Sequence, residues 1–168
     1  NILLPTSIVL AKSESGNVIR LRALLDSGSQ SNFVTESAVK KLNSKCNKTN
    51  VQLHGINGSC STAYKTSSLT IKSHVSEFEM LLNCLVVPHI TQNIPNSFMS
   101  VKNLNISNTL KLADPTFNLP GPVDLLIGID QFWKILTDGK VQFGIDKRLT
   151  AQNTHLGWVV GGTLTGCN

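Results

Sequence analysis

With 168 residues, 40% of them apolar, the chain is long enough for one domain with a moderate core and too apolar to stay disordered. Charged residues make up 15% and the formal net charge is +5. The basic residues are scattered, with only Lys40-Lys41 and Lys147-Arg148 adjacent, and the few aromatics (5%) are not interleaved with them, which argues against a nucleic-acid groove. No apolar run is long enough to span a membrane.

The abundance of Ser, Thr and Asn around short Val/Ile/Leu runs favours a mainly β fold. Asn1 to Leu10 reads as an apolar strand, without a basic leader or a cleavage-type small-residue site. The first residue is not Met, which fits a piece of a longer polypeptide. Ser13-Glu14-Ser15-Gly16-Asn17 breaks the run, and Val18 to Leu25 returns as the second strand of a hairpin. Asn32-Phe33-Val34 is a short strand. Thr35 is placed to cap a helix whose apolar face is Ala38, Val39 and Leu42, ending by Asn43. Val51 to His54 leads into Gly55-Ile56-Asn57-Gly58, a hairpin tip. Ser67 to His74 and Phe78 to Val87 are two further strands.

Residues 88–122 are rich in Pro, Asn and Ser and weakly patterned, and read as a long connection or insertion with room for a short helix. The chain then divides into a core, 1–87 and 123–162, and this connection, all within a single domain, 1–168. Val123 to Ile129 is a buried strand ending at Gly128. Asp130 is placed to cap a short helix, Gln131 to Leu136. Asp138-Gly139 is a turn signal before Val141-Gln142-Phe143, and Leu156 to Gly161 closes the chain as a strand.

Cys46, Cys60, Cys84 and Cys167 form no C-x-x-C pair and match no zinc spacing, so free thiols in a reducing compartment are expected. The four histidines, His54, His74, His89 and His155, show no ligand spacing. No Gly-x-Ser-x-Gly elbow is present.

The informative segment is Leu24-Leu25-Asp26-Ser27-Gly28-Ser29. A buried strand that runs straight into Asp-Ser-Gly holds a carboxylate rigidly at its mouth, and Gly28 lets the chain turn sharply. Taken alone, Asp-Ser-Gly is also good turn chemistry. A second apolar strand ends at Ile127-Gly128 and is followed by a helix. Amide hydrolysis by two carboxylates around one water needs a second Asp, and no second Asp-Ser/Thr-Gly occurs. Thr137-Asp138-Gly139 has the wrong order. Asp124 reads as a strand-end residue or loop anchor.

Three segments, in this order, carry a resemblance: Leu25 to Val34 around Asp26-Ser27-Gly28, Asp124 to Asp130 with Trp133 behind, and Leu156-Gly157-Trp158-Val159-Val160-Gly161-Gly162. Together they resemble the retropepsin-like aspartic proteases over nearly the whole chain, and most closely the peptidase of Bel/Pao-type retrotransposon polyproteins. Trp133 and the Leu156-Gly157-Trp158 segment point away from the ubiquitin-linked retropepsin-like proteins, which share the fold.

The resemblance implies a closed acid-protease β-barrel with a ψ-shaped active-site loop and one or two short helices. It implies an aspartic endopeptidase acting as a C2 homodimer, with Asp26 supplied once by each copy. Ser27 would donate across the interface to partner backbone, Gly28 would shape the loop, and Gly128 would let the ψ-loop pack. Gly55, Ile56, Asn57 and Gly58 would form the substrate-binding flap. Trp133 and Trp158 would belong to the core or the dimer interface. The substrate would be an extended peptide of a Gag-Pol-like polyprotein. No metal or organic cofactor, membrane or nucleic-acid partner is implied for this domain, and the compartment would be the cytoplasm or a virus-like particle. The alternative is a non-catalytic dimerisation or peptide-binding module that keeps the fold.

Overall fold

A computed structural model describes residues 2–55, 58–101, 104, 106–144 and 147–164. The fold is mainly β, with eleven strands and two seven-residue helices among these residues. Strands β2 (Thr6–Lys12), β3 (Val18–Leu25), β4 (Asn32–Thr35), β6 (Cys60–Ser73), β7 (Glu79–Val87) and β8 (Leu125–Ile127) close into a barrel in the order β2-β3-β8-β4-β7-β6, with β6 returning to pair β2. This is the closed acid-protease-like barrel expected from the sequence. Strand β5 (Asn47–His54) extends β6 outward as a hairpin.

Alternation along β3 shows why the barrel closes. Leu21, Ala23 and Leu25 turn inward and are buried in the main core with Val34, Ile71, Leu82, Leu125 and Ile127. Helix α1 (Glu36–Leu42) covers one end of this core. It begins as the sequence predicts: Thr35 Oγ1 accepts from Ala38 N at 3.2 Å, Ala38, Val39 and Leu42 are buried, and Asn43 ends it in the left-handed region at φ 52°.

The N-terminal run divides into two strands. Leu4-Pro5 separates β1 (Ile2–Leu3) from β2, and the two belong to different sheets. Pro5 has no N–H for a ladder, which suits the change of sheet. The second sheet has the order β1-β11-β10-β9, formed with β9 (Leu136–Phe143), β10 (Leu149–Thr154) and β11 (Val159–Thr163). Strand β11 has a neighbour on each side, β1 and β10, within the same chain.

Three local expectations are corrected. Asp138-Gly139 makes no turn: both residues lie inside β9, where Gly139 at φ 120° faces the Trp158 ring. Strand β9 runs on to Phe143 and pairs antiparallel with β10 from Leu149, and Gly144 and Lys147, between the two strands, have positive φ. The last strand begins at Val159, because Thr154 to Gly157 form a turn closed by Thr154 Oγ1 donating to Gly157 O at 2.6 Å. Finally, the described part of 88–122 contains no helix, only turns and two isolated bridges, Ile94↔Gly121 and Leu112↔Trp158.

Segment 88–122 is nevertheless well anchored. Met99, Leu104 and Phe117 build a second apolar cluster with Leu3, Leu149, Ala151 and Val160 of the terminal sheet. Arg22 of β3 and Asp114 form a buried ion pair, Nε to Oδ2 at 2.7 Å. Asp114 also accepts from Thr6 Oγ1 and from the N–H and hydroxyl of Thr116, while Arg22 donates to the carbonyls of Ile94, Thr116 and Leu119. Both charges are thus multiply hydrogen-bonded, the condition under which a buried pair is tolerated.

Candidate active site

Asp26 stands where β3 leaves the barrel. Its N–H still donates to Ile127 O at 3.0 Å, so the β3–β8 parallel ladder (Ala23↔Leu125, Leu24↔Leu126, Leu25↔Ile127) runs up to the carboxylate. The turn at Ser27-Gly28 follows, and Gly28 N donates to Asp26 Oδ1 at 2.9 Å. Asp26 is half-buried, while Ser27 and Gly28 are exposed. Gly28 does not need a positive φ. A Cβ there would lie 3.3 Å from Asp26 Oδ1, so the glycine keeps space beside the carboxylate.

Strand β8 lies between β3 and β4, parallel to the first and antiparallel to the second (Phe33↔Leu126, Val34↔Leu125). The Asp26 loop joins the two outer strands across its end, giving the ψ shape. Gly128 is the pivot. A Cβ at this position would meet Ser31 O at 2.6 Å and Ser29 O at 2.8 Å, both backbone atoms, so no side chain fits. Ile129 N donates to Ser29 O at 2.8 Å and binds the helix start to the loop.

A residue missed in the sequence completes the pivot. Asn32 is buried, and its Oδ1 accepts from Gly128 N at 2.8 Å while its Nδ2 reaches Asn83 O and Asp130 Oδ2, both at 3.4 Å. The available signal was a polar amide in an otherwise apolar strand directly after the loop, where burial demands a partner. Asp130 is not the helix cap. Helix α2 (Ile129–Ile135) has Gly128 as N-cap without a side-chain cap bond, and Asp130 sits in the first turn, accepting from Asn32 and Gln131. Nearby Cys84 is buried in β7, and its thiol is pushed up to about 12, chiefly by burial and secondarily by the Asp130 charge.

The structure therefore brings together Asp26, Ser27, Gly28 and Gly128. Of the expected flap, Gly55 and Gly58 lie at the tip of the β5–β6 hairpin, where Gly55 N donates to Ser59 O and Gly58 N to Gly55 O. Ile56 and Asn57 lie outside the described residues. The tip shares no hydrogen bond with the Asp26 turn among the described residues. Asp124 is an anchor: its carboxylate accepts from Arg22 N at 3.0 Å and its carbonyl from Thr35 N at 2.9 Å. Trp133 is 67% exposed, which removes it from the core, whereas Trp158 packs into the second cluster.

A model of the aspartyl protease family matches residues 12–130, well over half of the chain. The chain belongs to the aspartyl protease family. The matched span holds the whole ψ arrangement and segment 88–122, and it ends before the β9–β10–β11 part of the terminal sheet. No curated protein sequence matches the chain. An aspartyl protease hydrolyses amides with a water held between two carboxylates that share a proton. Here Asp114, Asp124 and Asp130 commit their carboxylates to Arg22, Thr6, Asn32 and Gln131. Asp26 is the one of these four aspartates that sits at the exposed mouth of the ψ loop.

Proposed function

We propose that the chain is an aspartic endopeptidase that works as a homodimer, with two Asp26 carboxylates activating one water. The observation that supports this most is the ψ crossing itself: β3 and β8 in parallel register deliver Asp26 and Gly128 side by side, and the chain carries one Asp-Ser-Gly. A twofold axis beside Asp26 would supply the second carboxylate from an identical loop. One carboxylate takes a proton from the water while the other gives one to the carbonyl oxygen. Ser27, exposed on the turn, is available to donate to the partner's backbone. The β5–β6 hairpin, with its tip at 55–58, would close over substrate.

The three sequence segments that resemble the Bel/Pao-type retrotransposon peptidase support a viral-type polyprotein as substrate, bound in extended form by strand addition. Exposed thiols at Cys46 and Cys60 suit a reducing compartment, either the cytoplasm or a particle assembled there.

The test is hydrolysis of a peptide library at mildly acidic pH by the purified chain beside Asp26→Asn, with sedimentation on both. Cleavage lost in Asp26→Asn and rising with the dimer population is the expected result. A stable dimer that cuts nothing and binds no statine-type inhibitor would favour the non-catalytic peptide-binding module instead.

A further inference from the structure

The barrel wall has a gap along one edge of β6. On the side away from β7, β5 pairs with β6 as far as Asn47↔Thr66, and β2 pairs with it from Ala11↔Ile71. Ser67, Ser68, Leu69 and Thr70 have no strand opposite them on that edge, while β7 pairs with all four on the other. Ser68, Leu69 and Thr70 line a groove of about 820 Å³ across from the end of β2. Leu10, Leu69 and the exposed Val18 give it apolar surface. Val18 begins β3 and Asp26 follows its other end, so the groove and the catalytic turn sit at opposite ends of one strand. The groove shares no residue with the Asp26 turn, with Gly128 or with the hairpin tip.

The fold also gathers lysines that the sequence scatters. Lys12, Lys45 and Lys72 line the groove against one acidic residue, Glu14. Lys72 is paired with Glu79, and Glu14 accepts from Asn43 Nδ2 at 3.3 Å. Ser44 lines both this groove and an adjoining depression that carries Lys40 and Lys65 with Glu36. Lys65 stands directly opposite Lys48 in the β5–β6 ladder, a like-charge pairing that costs stability unless an anion offsets it. Lys12, Lys40, Lys45 and Lys65 have no ion-pair partner among the described residues.

We propose that this groove takes an extended acidic segment of a protein partner, added as a strand to the open edge of β6 between β5 and β2. An open strand edge is a template for another backbone, and alternate side chains of the added strand then select the partner. The gap of four residues corresponds to roughly 13 Å of strand. Its apolar lining and its lysines together favour a segment in which apolar residues alternate with carboxylates that reach Lys12 and Lys45. The positive rim also speeds capture of an acidic chain. Phosphates would feel the same charges, but the groove has no aromatic side chain on which a base could stack, and the open edge matches a peptide backbone. Binding there does not depend on the proteolytic reading of Asp26.

The test titrates the full chain with a labelled peptide alternating Val and Glu, read by fluorescence anisotropy and by amide hydrogen exchange. The comparison probes are the same peptide with Lys for Glu, the Val-Glu peptide N-methylated at every residue, and a single-stranded oligonucleotide. The variants are Lys12→Glu and Lys45→Glu, both at exposed positions, with thermal unfolding to check that each is folded. We expect the Val-Glu peptide to bind the wild type, to slow exchange within Ser67–Thr70, and to bind each charge-reversed variant about tenfold more weakly. The N-methylated peptide, which cannot complete a ladder, and the Lys peptide should both bind more weakly than the Val-Glu peptide. Failure of the Val-Glu peptide to bind, equal binding of its N-methylated form, or unchanged exchange within Ser67–Thr70 would overturn the inference. Equal affinity for the folded charge-reversed variants would overturn it too, as would tighter binding of the oligonucleotide, which would assign the lysines to nucleic acid.

Discussion

The ψ crossing and segment 88–122 are held by opposite means. At the crossing, three short strands share ladder hydrogen bonds and bury Leu25, Val34, Leu125 and Ile127, so position follows from register. Among the described residues of 88–122 regular pairing is nearly absent, and position follows from a buried ion pair, a ring of carbonyl contacts and three apolar anchors. A register is a distributed constraint that tolerates the loss of a single side chain. A charge clamp is concentrated, and removing either partner leaves the other buried and unpaired.

The largest single-residue loss is therefore expected in the irregular region. Arg22→Met or Asp114→Ala should cost about 3–5 kcal/mol in denaturant unfolding, since each strands a buried charge. A loss near that of an exposed ion pair would show that the segment is anchored by its apolar contacts alone. Gly128→Ala, at the crossing, should cost about 1–3 kcal/mol, because its Cβ must displace the Ser29 and Ser31 carbonyls. Asn32→Leu should cost a comparable or smaller amount, about 1–3 kcal/mol, by leaving the Gly128 N–H unpaired.

The smallest effect at neutral pH lies beside the crossing, at Cys84, which pairs with Asn32 between β7 and β4. Burial pushes its thiol up to about 12, above the ordinary thiol range, so above pH 9 the unfolded state releases a proton that the folded state retains. Stability should be unaffected by this group below that pH and should fall as pH rises from 9 towards 12. Cys84→Val should flatten that part of the unfolding-versus-pH curve.

The same contrast explains what could be read from the sequence. Periodicity located the barrel strands, and capping chemistry located α1 through Thr35 and Asn43. Asp26-Ser27-Gly28 and Gly128 were legible as a pair, because two apolar strands each run into a small-residue turn, whereas Asp-Ser-Gly alone is ordinary turn chemistry. Asn32 was hidden because its role depends on a strand more than ninety residues away. Arg22 lies in a strand whose alternation carries no sign of a buried charge, and Asp114 lies in the weakly patterned connection 88–122. Only the fold reveals that the two meet. Asp138-Gly139 misled for the converse reason: a strong local turn signal gave way to pairing with β10 and to the Trp158 ring packed against Gly139.

The terminal sheet adds a further distinction. Because β11 is already flanked by β1 and β10 in its own chain, the dimer we propose cannot rest on new pairing to β11. The turn at Ser27-Gly28 is exposed, as a twofold axis beside Asp26 would require.

The most direct measurement is activity in mixtures of wild type with Asp26→Asn at fixed total concentration, after subunit exchange. If each active unit needs Asp26 from both copies, an equal mixture should retain roughly one quarter of the wild-type rate, following the square of the wild-type fraction. A rate that falls in simple proportion to the wild-type fraction would contradict the shared dyad.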